Sequence, residues 1–318
     1  MQTALEKNKF ILLTFLLAFA VLFFFYHQVL LAPNDFLFSA HGDGIKNYYT
    51  YLYHAKYDTS FHDFTGMNYP YYEHIVYTDA HPLLSWLVGK LGLVNYGIGI
   101  VNFLMLISYP VAAVLIFKIL KHYKLTNVWA LFAAVALAFM SPQVFRMTGH
   151  FSMSYAFAVP LMWWFLIKAY TTKKWIWTYA IALYLGIFFF THPYLGIILA
   201  FFSIVFWIVQ AIADREHSIG KRILTAFINI AQQTFLPLIV FQGYVSLTDT
   251  HVDRLSDPAG FFFYYGSWKS MLMAHSGPLN SLYNKFGMRL AEWETWAYVG
   301  FSTIVFFVII CGYLIKQR

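Results

Sequence analysis

The side chains best equipped for chemistry gather in a few short stretches. In His41-Gly42-Asp43-Gly44 a carboxylate stands between two glycines that let the backbone turn sharply, directly before an amphipathic segment, Ile45–Tyr57. Asp43 so placed can take a proton from a hydroxyl, or can serve as the N-cap of that helix, and the two roles are compatible. Tyr69-Pro70-Tyr71-Tyr72-Glu73-His74 and Tyr77-Thr78-Asp79-Ala80-His81-Pro82 set two acids and two histidines among stackable rings. That composition suits a hydroxyl-rich ligand and acid/base work. An interfacial aromatic belt accounts for the rings but not for the acids. His41-x-Asp43 with Asp79-x-His81 also makes an oxygen-and-nitrogen donor set, with Asp43, Asp79 and His81 as the ligands if a divalent cation such as Mg²⁺, Mn²⁺ or Zn²⁺ is used.

Two further groups carry charge. Arg146 with His150, and His192 in Thr191-His192-Pro193, fill tight links between apolar runs. An arginine there can pair bidentately with a phosphate, and histidines can donate to it or shuttle a proton. The plainer alternatives are a lipid headgroup contact for Arg146 and a pre-proline turn for His192. The stretch Thr248–Pro258 offers Arg254 as another phosphate ligand, followed by the aromatic run Phe261–Tyr265 and by Glu292 and Glu294.

The elements that must position these groups are membrane helices. Of 318 residues, 60% are hydrophobic and 11% charged, against about a quarter charged in a soluble domain. Soluble, disordered, fibrous and nucleic-acid-binding classes are set aside. Cys311 is the single cysteine, which excludes an internal disulfide and a CxxC redox motif. The expected fold is all-α: one polytopic transmembrane bundle over 1–318 of about eight spans. They are Phe10–Leu31, Gly97–Leu120, Thr126–Met140, Ser152–Tyr170, Trp175–Phe190, Tyr194–Ala213, Ile223–Gln242 and Trp296–Ile315. With the N-terminus inside, 13 of the 21 Lys and Arg fall in short inside segments, so both termini are expected in the cytoplasm. The first span reads as an uncleaved signal anchor. Eleven of 14 acids and ten of 12 histidines then lie on the outer side, mainly in two extracytoplasmic loop regions, 32–96 and 243–295. Short interfacial helices are expected at Ile45–Tyr57 and Pro82–Leu93.

The pattern of His41-Gly42-Asp43-Gly44, the helix after it and Gly66-Met67-Asn68-Tyr69-Pro70-Tyr71-Tyr72-Glu73 resembles the GT-C superfamily of integral-membrane glycosyltransferases. The resemblance implies a polyprenyl-phosphate-linked sugar donor, an acceptor glycan, lipid or protein, a bacterial inner membrane and an extracytoplasmic active face. It gives Asp43 the role of catalytic base or metal organiser, with Glu73 and Asp79 as candidates for a second acid. By residue type and position, His41, Tyr72, Arg146, His150, His192 and Arg254 are the candidate substrate or phosphate ligands. Members usually have more spans and often a C-terminal domain, so this sequence corresponds to a truncated or minimal form. The implied reaction inverts the anomeric carbon. Two other classes compete. A non-catalytic subunit of polysaccharide assembly would share the loops and rings; a transporter would place ionisable groups at midplane, where only Asn102, Ser203 and Asn229 are polar.

Overall fold

A run of apolar residues in lipid must satisfy its backbone internally, and the helix is the local way to do so. The computed structural model describes residues 4–255, 266–288 and 298–316, and they are overwhelmingly helical. Six helical stretches are long and apolar enough to cross a membrane: Asn8–Leu31, Val94–His122, Asn127–Thr148, Phe151–Thr172, Pro193–Ala213 and Ile219–Thr248. Two shorter apolar helices, Trp175–Thr191 and Phe301–Tyr313, coincide with the fifth and eighth expected spans. The third expected span is completed by a 3₁₀ segment, Pro142–Thr148. The seventh continues through a π-turn at Ala231–Phe235 to Thr248, so the outer region expected from Gly243 starts about six residues later.

The chain groups into two compact units, Met1–Thr250 and His251–Arg318, where the sequence reading takes 1–318 as one. In the first unit, helix α1 (Ala4–Leu31) is interrupted at Tyr26, whose φ of −128° and ψ of 22° are not helical. Next come α2 (Gly42–Tyr57), a hairpin of β1 (Asp63–Phe64) and β2 (Glu73–His74), and α3 (Pro82–Lys90). The remaining helices are α4 (Gly97–His122), α5 (Asn127–Phe139), α6 (Ala158–Thr172), α7 (Trp175–Thr191), α8 (Pro193–Ala213), α9 (Ile219–Ile230) and α10 (Leu236–Thr248).

Two large apolar cores, beside two smaller clusters, hold this unit. One joins α1, α2, α4 and α5 through Leu22, Tyr48, Tyr51, Met105, Tyr109 and Val135; the other joins α6, α7, α8 and α10 through Met162, Leu185, Phe189, Leu199 and Phe241. Asn102, buried in α4, ties the first outer region to the bundle. Its Nδ2 donates to the carbonyls of Pro33 and Phe36 at 2.8 and 2.7 Å, and its Oδ1 accepts from the Tyr48 hydroxyl at 2.6 Å. A mid-span polar residue here organises a loop, as buried amides do when fully bonded.

In the second unit the described helices are α11 (Trp268–Leu272), α12 (Gly277–Lys285) and α13 (Phe301–Lys316). The Ser267 hydroxyl accepts from Ser270 N–H at the start of α11, and Val299 N–H donates to Met271 C=O at 3.1 Å. Asp257, the run 261–265, Glu292 and Glu294 lie outside the described residues.

Candidate functional site

The start of α2 sets the position of Asp43. The helix begins at Gly42, three residues earlier than the expected Ile45, so His41 takes the N-cap position without a side-chain cap bond and Asp43 lies in the first turn. Asp43 is therefore not the cap. Its charge still meets the positive end of the helix dipole. Gly42 adopts φ +52°, and Gly44 lies so close to its neighbours that a Cβ would fall 2.3 Å from Ser39 Cβ and 2.7 Å from the Thr148 carbonyl. The close approach presses α2 against the link between α5 and α6. Asn47, fully buried one turn on, fastens it there: its Nδ2 donates to the carbonyls of Asp43 and Gly149, both at 2.7 Å, and its Oδ1 accepts from Phe151 N–H at 3.3 Å.

Around that clamp five ionisable side chains meet. Lys46 Nζ lies 3.0 Å from Asp79 Oδ2 and 3.7 Å from Asp43 Oδ1. Asp79 Oδ1 accepts from His192 Nε2 at 3.2 Å, and His150 Nε2 lies 4.0 Å from Asp43 Oδ2. The first outer region, the α5–α6 link and the α7–α8 junction thus converge on one cluster. His192 reaches it because α7 stops at Thr191 and Pro193, which lacks an N–H, opens α8.

The two carboxylates differ. Asp79 is mostly buried, and burial alone would raise its pKa. The hydrogen bonds and charges of His192 and Lys46 outweigh that and hold it well below the usual carboxylate range. Burial likewise acts to lower Lys46, but Asp79 and then Asp43 raise it overall. Asp43 is exposed, its side chain 56% accessible, and Lys46 and His150 stand 3.7 and 4.0 Å away, beyond hydrogen-bonding distance. Its lone pairs are open to a ligand. His150 is pushed down chiefly by burial, with the Arg146 charge adding to the effect and the carboxylates of Asp79 and Asp43 opposing it. Arg146 itself is exposed on the Pro142–Thr148 segment, without an ion pair among the described residues.

Of the sequence candidates, Asp43, Asp79, His150 and His192 come together, with Arg146 beside them. His81 does not join them. Asp79 and His81 both take left-handed φ, +57° and +54°. Asp79 meets Lys46 and His192, whereas His81 packs inward with its Nε2 2.5 Å from the Tyr155 hydroxyl. Burial lowers its pKa to about 3. Asp43, Asp79 and His81 are thus not arranged as metal ligands. Among the described residues no three His, Cys, Asp or Glu side chains form a metal-holding group, and a lysine ammonium bridges the two aspartates.

Glu73 accepts from its neighbour His74 N–H at 2.7 Å and from Asn68 Nδ2 at 3.4 Å, contacts that belong to the hairpin. Tyr72 is exposed with φ +62° and its ring meets that of Tyr69. His41 is exposed at the α2 cap. Arg254 belongs to the second unit, whereas the cluster is built within the first. Lys46 and Asn47 are the residues sequence reasoning missed. Their signal was the spacing of three and four from Asp43 on one helix, which puts all three on one face.

A family model, Domain of unknown function (DUF6311), matches residues 15–318. The chain belongs to the DUF6311 family. No curated protein and no solved structure matches it. The DUF6311 match takes in every residue of the cluster, from Asp43 and Lys46 to His192, the first unit from residue 15 on and all of the second.

Proposed function

We propose that this DUF6311 chain is an integral-membrane glycosyltransferase of the GT-C kind, with eight spans, both termini in the cytoplasm, and an active face outside a bacterial inner membrane. It moves a sugar from a polyprenyl-phosphate donor to an extracytoplasmic acceptor. The observation that carries the reading is Asp43: an exposed carboxylate without a hydrogen bond among the described residues, fixed by the Gly44 and Asn47 contacts and flanked by cationic or protonatable groups.

In the proposed step the acceptor hydroxyl gives its proton to Asp43 while its oxygen bonds to the anomeric carbon. The bond from that carbon to the phosphate oxygen breaks, and its electron pair leaves on the phosphate. That group departs as an anion and needs a cationic clamp rather than a proton donor. Lys46 and Arg146 supply the charge, and His150 can donate. Asp79 and His192 hold Lys46 in place.

An apolar cavity of about 220 Å³, lined by Phe25, Tyr26, Tyr109, Phe139, Val144 and Met147, supports a lipid-linked donor. Met147, on the cavity wall, belongs to the same 3₁₀ segment as Arg146. The interruption of α1 at Tyr26 lies on its wall.

The test uses purified protein in lipid, given a panel of radiolabelled polyprenyl-monophosphate sugars, with Asp43→Asn alongside. The expected result is sugar release by the parent and a loss of roughly 10²- to 10⁴-fold in the variant, the usual contribution of a general base, with lipid binding kept. Lipid binding without release by either protein would favour the non-catalytic subunit instead. No binding at all would overturn the glycosyltransferase reading.

A further inference from the structure

At the far ends of α7 and α8 from His192 the first unit holds a charged cavity of about 970 Å³. The two helices have 17 and 21 residues, or about 25 and 31 Å at the usual helical rise, close to the thickness of a bilayer core. The cavity and the candidate site are therefore on opposite membrane faces.

Five cations line the cavity, Lys173, Lys174, Arg215, Lys221 and Arg222, against the two carboxylates of Asp214 and Glu216. Asp214 is already engaged: it accepts from His217 Nδ1 at 2.8 Å and from the N–H groups of Glu216 and His217 at 2.9 and 3.3 Å. None of the five cations has an ion pair among the described residues. Arg222 donates through Nη1 to the carbonyls of Asp214 and Ala211, and its buried Nε has no partner.

Tyr170, Trp175 and Trp207 share the lining with the charges. Helix α9, which supplies Lys221 and Arg222 and opens the apolar stretch Ile219–Thr248, exposes Ile219, Ile223, Leu224 and Phe227, so these two cations stand where that stretch enters the lipid. A cavity this cationic and ringed by aromatics at the level of the headgroups matches a phosphate joined to an apolar body.

We propose that this cavity is a binding site for a phosphate-bearing ligand on the membrane face opposite the Asp43 cluster. An anionic phospholipid would present its headgroup phosphate from the bilayer, and a soluble phosphorylated compound would present the same group from water. The proposal is independent of any activity at Asp43.

The full chain is placed in nanodiscs of phosphatidylcholine with phosphatidylglycerol, and the lipids retained after release are counted by native mass spectrometry. Pyrophosphate binding is measured separately by calorimetry. The variants are Lys174→Gln/Arg215→Gln/Lys221→Gln, whose replaced side chains make no hydrogen bond among the described residues, the charge-preserving Lys174→Arg/Lys221→Arg, and Lys124→Gln, a lysine of the same face outside the cavity. With each cation near an anionic headgroup contributing modestly, the triple variant is expected to lose retained phosphatidylglycerol by at least about tenfold. The arginine variant and Lys124→Gln are expected to keep it. Pyrophosphate binding by the parent without lipid retention, lost in the triple variant, would support the site with a soluble ligand. Equal binding by parent and triple variant, equal loss in Lys124→Gln, or no binding of either probe would overturn it.

Discussion

Lys46 Nζ lies 3.0 Å from Asp79 Oδ2, and the same ammonium reaches back one helical turn to within 3.7 Å of Asp43. One lysine thereby sets the distance between a mostly buried, ion-paired carboxylate and an exposed one. Only the exposed carboxylate is left for a substrate. The division of labour between the two aspartates follows from what surrounds each, not from their chemistry.

Lys46→Met should therefore act through Asp79. A carboxylate stripped of one charged partner in a mostly buried place costs about 1–3 kcal/mol of stability. Lys46→Arg should retain most of it. Thermal unfolding of the solubilised protein, with Asp79→Asn and the double variant, closes a cycle. The double variant should lose less than the sum of the singles. Simple additivity would show that the two residues do not act as a pair.

His81 gives a pH dependence with a definite sign. Its folded pKa, about 3, is below the ordinary histidine value, so the folded state prefers the neutral ring. An unfolded histidine takes up its proton near pH 6.5, so stability is intact above that value and falls by up to about 1.4 kcal/mol per pH unit below it. The loss runs from about pH 6.5 down to the folded value near 3. Asp79 also loses its contribution in acid, from the ordinary carboxylate value downward, since its folded pKa is depressed. Melting temperatures between pH 7 and pH 4.5 read His81 together with His54 and His150, which burial also holds below the ordinary value, so the His81 share is taken from a variant. His81→Gln, which can still bond the Tyr155 hydroxyl, should flatten the decline, and an unchanged slope would assign it elsewhere.

The helices were legible because the apolar runs are long and lipid leaves the backbone few choices. The convergence was legible in outline too: tight links at Arg146–His150 and Thr191–Pro193 suggested groups at one level with Asp43. What the sequence did not carry was direction. Asp79 and His81 are two residues apart in a loop, and their spacing looked like one ligand pair. Two left-handed residues separated them, one into the cluster and one toward Tyr155. Beyond its spacing from Asp43, Lys46 has no signal of its own in the sequence, because its meaning depends on Asp79 approaching from 33 residues away, a contact no local period records. In the sequence Asn102 is only a polar residue within a span, and its bonds to Pro33, Phe36 and Tyr48 make it the anchor of a loop.

The amide of Asn47 offers a separate handle on the placement of Asp43. It satisfies the Gly149 carbonyl and the Phe151 N–H across more than 100 residues of sequence. Asn47→Ala leaves those groups without that partner and should cost about 2–4 kcal/mol, since each buried polar group left bare costs about 1–3. Asn47→Asp keeps the acceptor for Phe151 but sets a carboxylate against two carbonyls, and should be no better. Denaturant unfolding compares them. If Asn47→Ala were as stable as the parent, the clamp would not be holding α2 to the α5–α6 link.

The last prediction separates two glycines that the sequence presents as equivalent. Gly42 needs its left-handed φ but has open space around it, so Gly42→Ala should cost only about 1 kcal/mol. Gly44 has the reverse constraint. An added methyl would stand 2.3 Å from Ser39 Cβ and 2.7 Å from the carbonyl oxygen of Thr148, and a carbonyl cannot swing aside as a flexible side chain can. Gly44→Ala must push α2 away from the link, at about 1–3 kcal/mol for overpacking. The same shift widens the gap between Asp43 and His150, now 4.0 Å. Binding of the donor lipid and sugar release should thus fall more in Gly44→Ala than in Gly42→Ala when both are assayed at a temperature where each is folded. Equal losses in the two variants would mean that the close approach of Gly44 to Thr148 does not position Asp43.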